Sequence, residues 1–230
     1  MRKSIGGFFT KVILGFLLIW LGAGVACVMG QSLLRLTWTS PLAIAFAVGF
    51  VLYFFIHLVF YKPVLSHVLA HELTHALAAL LMGGKVTEIH ATHSGGSAVT
   101  NKSHFFISIA PYVFPLYTVL AMGLYALAAP AFKVYLMGFV GLTYSFHWVL
   151  TIYSLSHQQP DLEEGGTVFS LIFIFTANMI VLMILFTLIW PEVLSWHGAL
   201  FGTFHWCLRL AQTLFHLAHP IFSKPEGTPA

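Results

Sequence analysis

Six apolar stretches, at 12–29, 41–60, 63–82, 105–128, 132–155 and 168–190, set the terms on which this 230-residue chain can fold. A helix that crosses the hydrocarbon core of a bilayer needs about 20 apolar residues, and each stretch is near that length. Hydrophobic residues make up 59% of the chain and charged ones 7%, whereas a soluble domain carries about a quarter charged residues. A water-facing globule is therefore excluded. So is a disordered chain, which needs low hydrophobicity and high charge. The fold class expected is an all-α polytopic membrane protein with about six transmembrane helices. Its Lys and Arg residues are scattered singly, so no basic run signals nucleic acid. Cys27 and Cys207 both lie in apolar surroundings and mark neither a disulfide framework nor a cysteine-type zinc site.

Local signals refine this plan. The first stretch follows Arg2, Lys3 and Lys11 and contains Gly22-Ala23-Gly24, the outline of a secretory signal. Its length and the further spans favour a retained helix. Pro63 opens the third stretch where its missing N–H costs little, and Gly83-Gly84 closes it. Short β-prone pieces at 86–90 and 97–100 flank Ser94-Gly95-Gly96, which predicts a small β-hairpin insertion. Pro111 and Pro115 predict a kinked fourth span whose freed carbonyls need partners. From 194 to 219, Trp196, Leu200, Phe204, Leu208 and Phe215 alternate with Arg209 and histidines, as in an amphipathic helix lying in the interface. The domain plan is a membrane domain over 1–193 (core about 60–190), an interfacial helix over 194–222 and a disordered tail over 223–230. With the N-terminus inside, Arg2, Lys3, Lys11, Lys62, Lys133, Arg209 and Lys224 fall inside and Arg35, Lys85 and Lys102 outside, the better of the two orientations.

The third stretch carries the chemistry. It holds His67, His71, Glu72 and His75, and ionisable groups at that depth mark a functional site by default. His71-Glu72-Leu73-Thr74-His75 is an H-E-x-x-H pattern. On a helix, two histidines four apart project from one face and can share a zinc ion, while the glutamate between them reaches a water as general base. Zinc would lower the pKa of that water toward about 7. A polar helix face lining a transport path is the competing explanation of the same residues.

A catalytic zinc usually takes a third protein ligand and leaves one position open. Asp161 is the single aspartate of the chain and sits in a polar break, Ser156 to Gly166, between two spans. Non-helical backbone at membrane depth is tolerated where it lines a cavity, and Pro160 with Gly165-Gly166 suits such a segment. Glu163 and Glu164 are near competitors, and Glu88, His90, His93 and His104 more distant ones. His67 extends the stripe and is expected to hydrogen-bond behind the metal ligands. His57 and His147 are expected to be satisfied buried or interfacial histidines.

Taken together these motifs resemble the site-2 proteases, intramembrane zinc metalloproteases that carry H-E-x-x-H in one membrane helix and an aspartate of N/x-P-D-G type in a later, broken segment. His71, Glu72 and His75 match the first element and Pro160-Asp161 the second. The strand-prone insertion at 86–100 is also a habit of that family, and Ala110-Pro111 is similar to its G-P-x-x-N element. The similarity covers roughly residues 60–190. Leu162 stands where the glycine after the aspartate is usual, and Phe114 where G-P-x-x-N has asparagine. The resemblance implies one Zn2+ per chain held by His71, His75 and Asp161, with Glu72 catalytic. It further implies cleavage of a single-span membrane protein substrate by a multi-pass protein of a bacterial inner membrane. A membrane transporter or metal-handling protein with a histidine-lined pathway is the alternative.

Overall fold

The computed structural model describes residues 5–59, 63–93, 95–156 and 160–222. Helices α1 (Ile5–Arg35), α2 (Pro41–Val59) and α3 (Val64–Leu81) come first, followed by strands β1 (Val86–Thr92) and β2 (Gly95–Thr100). Then follow α4 (Phe105–Val113), α5 (Leu116–Leu127), α6 (Lys133–Leu155), α7 (Thr167–Ile189) and α8 (Trp196–Phe222), with short 3₁₀ turns at Pro130–Phe132 and Pro160–Leu162. Among the described residues five helices are long and apolar enough to cross a membrane, or six when the bent pair α4–α5 counts as one span. The chain is thus an all-α, multi-pass membrane protein with one small sheet. The expected disordered tail, 223–230, lies outside the described residues.

The chain divides into two compact units, Met1–Leu36 with Phe175–Ala230, and Thr37–Ile174. In the first, α8 runs antiparallel to α1. Gly202 packs near Val28, Thr203 and Cys207 lie over Gly24, and the Cys207 thiol approaches the Trp20 carbonyl at 3.7 Å. Eight residues of helix rise about 12 Å, so α8 follows α1 for that distance rather than meeting it at one crossing point. It is not among the helices apolar enough to span, and Leu200, Phe201, Phe204 and Leu208 face outward from the unit.

The second unit holds every candidate site residue. Its frame is the α2–α6 pair, which approaches closely because the residues at the contact are small. A Cβ on Gly49 would overlap the Gly138 carbonyl, and one on Gly141 the Phe46 carbonyl. Backbones in lipid gain van der Waals contact by this device, since hydrophobicity gives no drive between helices there. α3 ends as its glycines require: Gly83 takes φ +72° and Gly84 N–H bonds to the Ala79 carbonyl at 2.7 Å. The expected kink falls at Phe114-Pro115, where α4 and α5 meet at 59°. Phe114 is extended, φ −92° and ψ 108°, as a residue preceding proline prefers.

The hairpin departs from expectation in one respect. Its register pairs Ile89 with Ala98, Ala91 with Gly96 and Thr92 with Gly95, with an irregularity between Val86 and Glu88. The glycines therefore belong to β2, and the chain reverses between Thr92 and Gly95. Gly96 is small because β2 lies on α3. A Cβ there would sit 2.5 Å from Val68 Cγ1, 2.7 Å from Glu72 Cγ and 2.7 Å from the His90 carbonyl oxygen.

Candidate metal centre

His71 and His75 project from one face of α3, a turn apart, with ring centroids 4.8 Å from each other. Asp161 reaches them from the 3₁₀ turn that breaks the chain before α7. Its Oδ2 lies 3.3 Å from His71 Nε2 and 3.5 Å from His75 Nε2. Zinc–ligand bonds of about 2.0–2.1 Å in a tetrahedron put neighbouring ligand atoms about 3.3–3.4 Å apart. Among the described residues this is the group of three His, Cys, Asp or Glu side chains whose ligand atoms all fall within 4.8 Å. Two imidazole nitrogens and one carboxylate oxygen form a donor set that suits zinc, so the residues fit the metal that the motif implies.

Two of the three candidate ligands, His75 and Asp161, are oriented by a neighbour. His75 Nδ1 lies 2.9 Å from the Ile107 carbonyl. With the proton on Nδ1, as that contact requires, Nε2 keeps its lone pair free toward Asp161. Ile107 has a carbonyl to offer because Pro111, four residues on, lacks the N–H that would otherwise occupy it. Asp161 accepts a hydrogen bond from the Tyr112 hydroxyl at 2.9 Å. His67, as expected, stands behind the ligands: its Nε2 lies 2.8 Å from Ser154 Oγ on α6.

The loop bearing Asp161 is fastened at both sides. Leu162 is buried with Ile109, Tyr112 and Ile174, which gives a physical role to the residue that replaces the expected glycine. Glu164 accepts from Ser108 Oγ at 2.6 Å and from Ser103 Oγ at 3.2 Å. Gly165 packs beneath the Phe105 ring, where a Cβ would overlap it, and Gly166 adopts φ +86°.

Glu72 is buried and lies beneath the hairpin, its Cγ against the Gly96 position of β2. In a two-stranded sheet the side of β2 away from β1 is an edge. The rival ligands stand elsewhere. His90 pairs with Glu88 at 3.1 Å on the exposed hairpin, His104 caps the start of α4 by accepting from Phe106 N–H, Glu164 is engaged by the serines and Glu163 is exposed. Sequence reasoning missed Tyr112, Ser154, the Glu164 clasp and the Ile107 carbonyl. Tyr112 had a signal, as a polar-tipped aromatic in the apolar run Phe105–Val113 whose hydroxyl needs a partner, and so did the Ile107 carbonyl, which Pro111 frees. The chain matches no protein-family model, no curated protein and no solved structure.

Proposed function

We propose that the chain is an intramembrane zinc endopeptidase of the site-2 protease type, which hydrolyses a peptide bond in or near the transmembrane segment of a single-span membrane protein. The observation that carries this reading is the convergence of His71, His75 and Asp161, whose ligand atoms lie within 4.8 Å of one another, with Glu72 next to His71 in the chain. Zinc, when bound there, supplies Lewis-acid polarisation of the scissile carbonyl and a water acidic enough to react at neutral pH. Glu72 would take a proton from the attacking water as the water oxygen bonds to the carbonyl carbon, and would return it to the departing amine nitrogen as the C–N bond breaks. A helical substrate hides its amides and must be extended first. The outer edge of β2 offers a strand-addition site alongside Glu72 for that purpose. The setting proposed, on the family resemblance, is a bacterial inner membrane.

The test is cleavage of candidate single-span substrates in membranes by the wild type and by Glu72→Gln. Cleavage that survives in the purified variant sinks the mechanism.

One observation favours a second reading, a metal-handling or transport protein. His67, His71, Thr74, Thr143, His147 and Thr151 help to line a cavity between α3 and α6. Its volume, about 30 Å³, is room for about two waters rather than a pathway. Metal uptake by vesicles containing the protein, unaffected by Glu72→Gln, would support transport instead.

A further inference from the structure

The hydroxyl of Tyr112 donates to Asp161 Oδ2 at 2.9 Å. The side chain is 1% exposed, in the last turn of an apolar helix, where phenylalanine would fill the same volume without a polar group to satisfy. A buried hydroxyl costs about 1–3 kcal/mol unless it is paired. Tyr112 pairs with Asp161, and specifically with Oδ2, the oxygen that faces both histidine Nε2 atoms. Its ring meets His71 edge-on, centroids 5.2 Å apart at 88°, so one side chain touches two members of the cluster at once.

We propose that Tyr112 is a positioning residue that fixes Asp161 as a one-oxygen ligand through Oδ2; this rests on the assignment of His71, His75 and Asp161 as metal ligands. A carboxylate can bind a metal through one oxygen or both. With Oδ2 pinned by a phenol whose own ring is held against His71, the carboxylate plane cannot turn to offer both oxygens equally. One-oxygen binding keeps the fourth tetrahedral position open for water, the arrangement that a catalytic rather than a structural zinc requires. Partners of this kind matter to the metal they serve: their loss costs about 10–100-fold in affinity or activity.

The experiment uses the purified full-length chain in detergent, loaded with Co2+ as a spectroscopic stand-in for zinc. Tyr112→Phe keeps the ring and its contact with His71. It is expected to weaken Co2+ binding about 10–100-fold and to lower the intensity of the visible absorption bands, as the freed carboxylate adds its second oxygen and raises the coordination number. In the Asp161→Ala background the same substitution is expected to change neither quantity further, because the partner is gone. If Tyr112→Phe is too unstable to purify, 3-fluorotyrosine in place of Tyr112 preserves shape and strengthens the donor, and must shift the Co2+ spectrum. Wild-type affinity and spectrum in Tyr112→Phe, or an unshifted spectrum with the fluorinated residue, overturns the proposal. These readouts need no substrate. A protein that binds Co2+ as described yet cleaves nothing refutes the protease reading and leaves the role of Tyr112 standing.

Discussion

The contact between the hairpin and α3 offers a sharp test of how the site is assembled, through Gly96→Ala. The added methyl would meet Val68 Cγ1 at 2.5 Å, Glu72 Cγ at 2.7 Å and the His90 carbonyl oxygen at 2.7 Å. Carbon atoms rest at about 3.5–4.0 Å from each other, so roughly 1 Å must be found. Val68 can rotate some of it away. The His90 carbonyl belongs to the paired strand and cannot, so β2 has to lift from the helix or Glu72 has to move. Overpacking of this kind costs about 1–3 kcal/mol of stability. The functional loss is expected to be larger in proportion. A general base displaced by about 1 Å loses on the order of 100-fold in rate, equivalent to about 2.7 kcal/mol. The proposed metal ligands His71, His75 and Asp161 take no part in the clash, so zinc content should stay at the wild-type level. The assay is cleavage of a membrane substrate in vesicles, with zinc measured on the same preparation. Gly123→Ala serves as control, because a Cβ there meets nothing within 4 Å. Wild-type turnover by Gly96→Ala would refute the idea that hairpin and Glu72 are held in register by this contact.

Three further outcomes are expected. Glu72→Gln should retain zinc and the fold while losing nearly all hydrolysis, whereas His71→Ala should lose both zinc and activity; metal analysis beside the cleavage assay separates the two. Asp161→Ala should bind zinc weakly and be inactive, while a Glu163→Ala/Glu164→Ala double variant should keep the metal, because Glu163 is exposed and Glu164 is bound to serines; the reverse pattern would move the third ligand by two or three residues. Single cysteines along α8, in a background lacking Cys27 and Cys207, should be protected at 203 and 207, which face α1, and labelled at 205 and 209; helix ends accessible from opposite sides of the membrane would make α8 a further crossing.

The elements that could be read from sequence are those whose cause is local. Pro63 and Gly83 bracket the third stretch, and α3 runs Val64–Leu81 between them. Pro115 places the bend after Phe114 because the clash of a proline with its predecessor is a property of two residues. The H-E-x-x-H pair was legible for the same reason, since helix geometry alone puts positions four apart on one face. The hairpin was read as present but with its turn misplaced. Gly95 and Gly96 look like turn residues, and only the approach of β2 to α3, a contact across more than twenty residues, explains why small residues sit inside a strand. The partners of Tyr112, Ser154 and Glu164 cannot be read from sequence because they lie 49, 87 and at least 56 residues away in the chain.

Pro111 shows how the two kinds of signal join. From sequence it could be said only that a proline inside a membrane helix leaves one carbonyl without its usual donor, and that this carbonyl must find another. In the structure the carbonyl is that of Ile107 and the donor is His75. A histidine in lipid has the matching difficulty, because a ring nitrogen that is not a ligand needs an acceptor. Each group meets the need of the other at 2.9 Å. One turn further along the same helix, the Tyr112 hydroxyl meets Asp161, and near its start Ser108 holds Glu164. α4 contributes no ligand. Yet it sets the tautomer of one ligand, holds the carboxylate of another and fastens the loop that brings that carboxylate in. A segment read from sequence as a kinked span thus acts as the template on which the α3 histidines and the Asp161 loop are brought to a common centre, and its proline is the feature that frees it to do so.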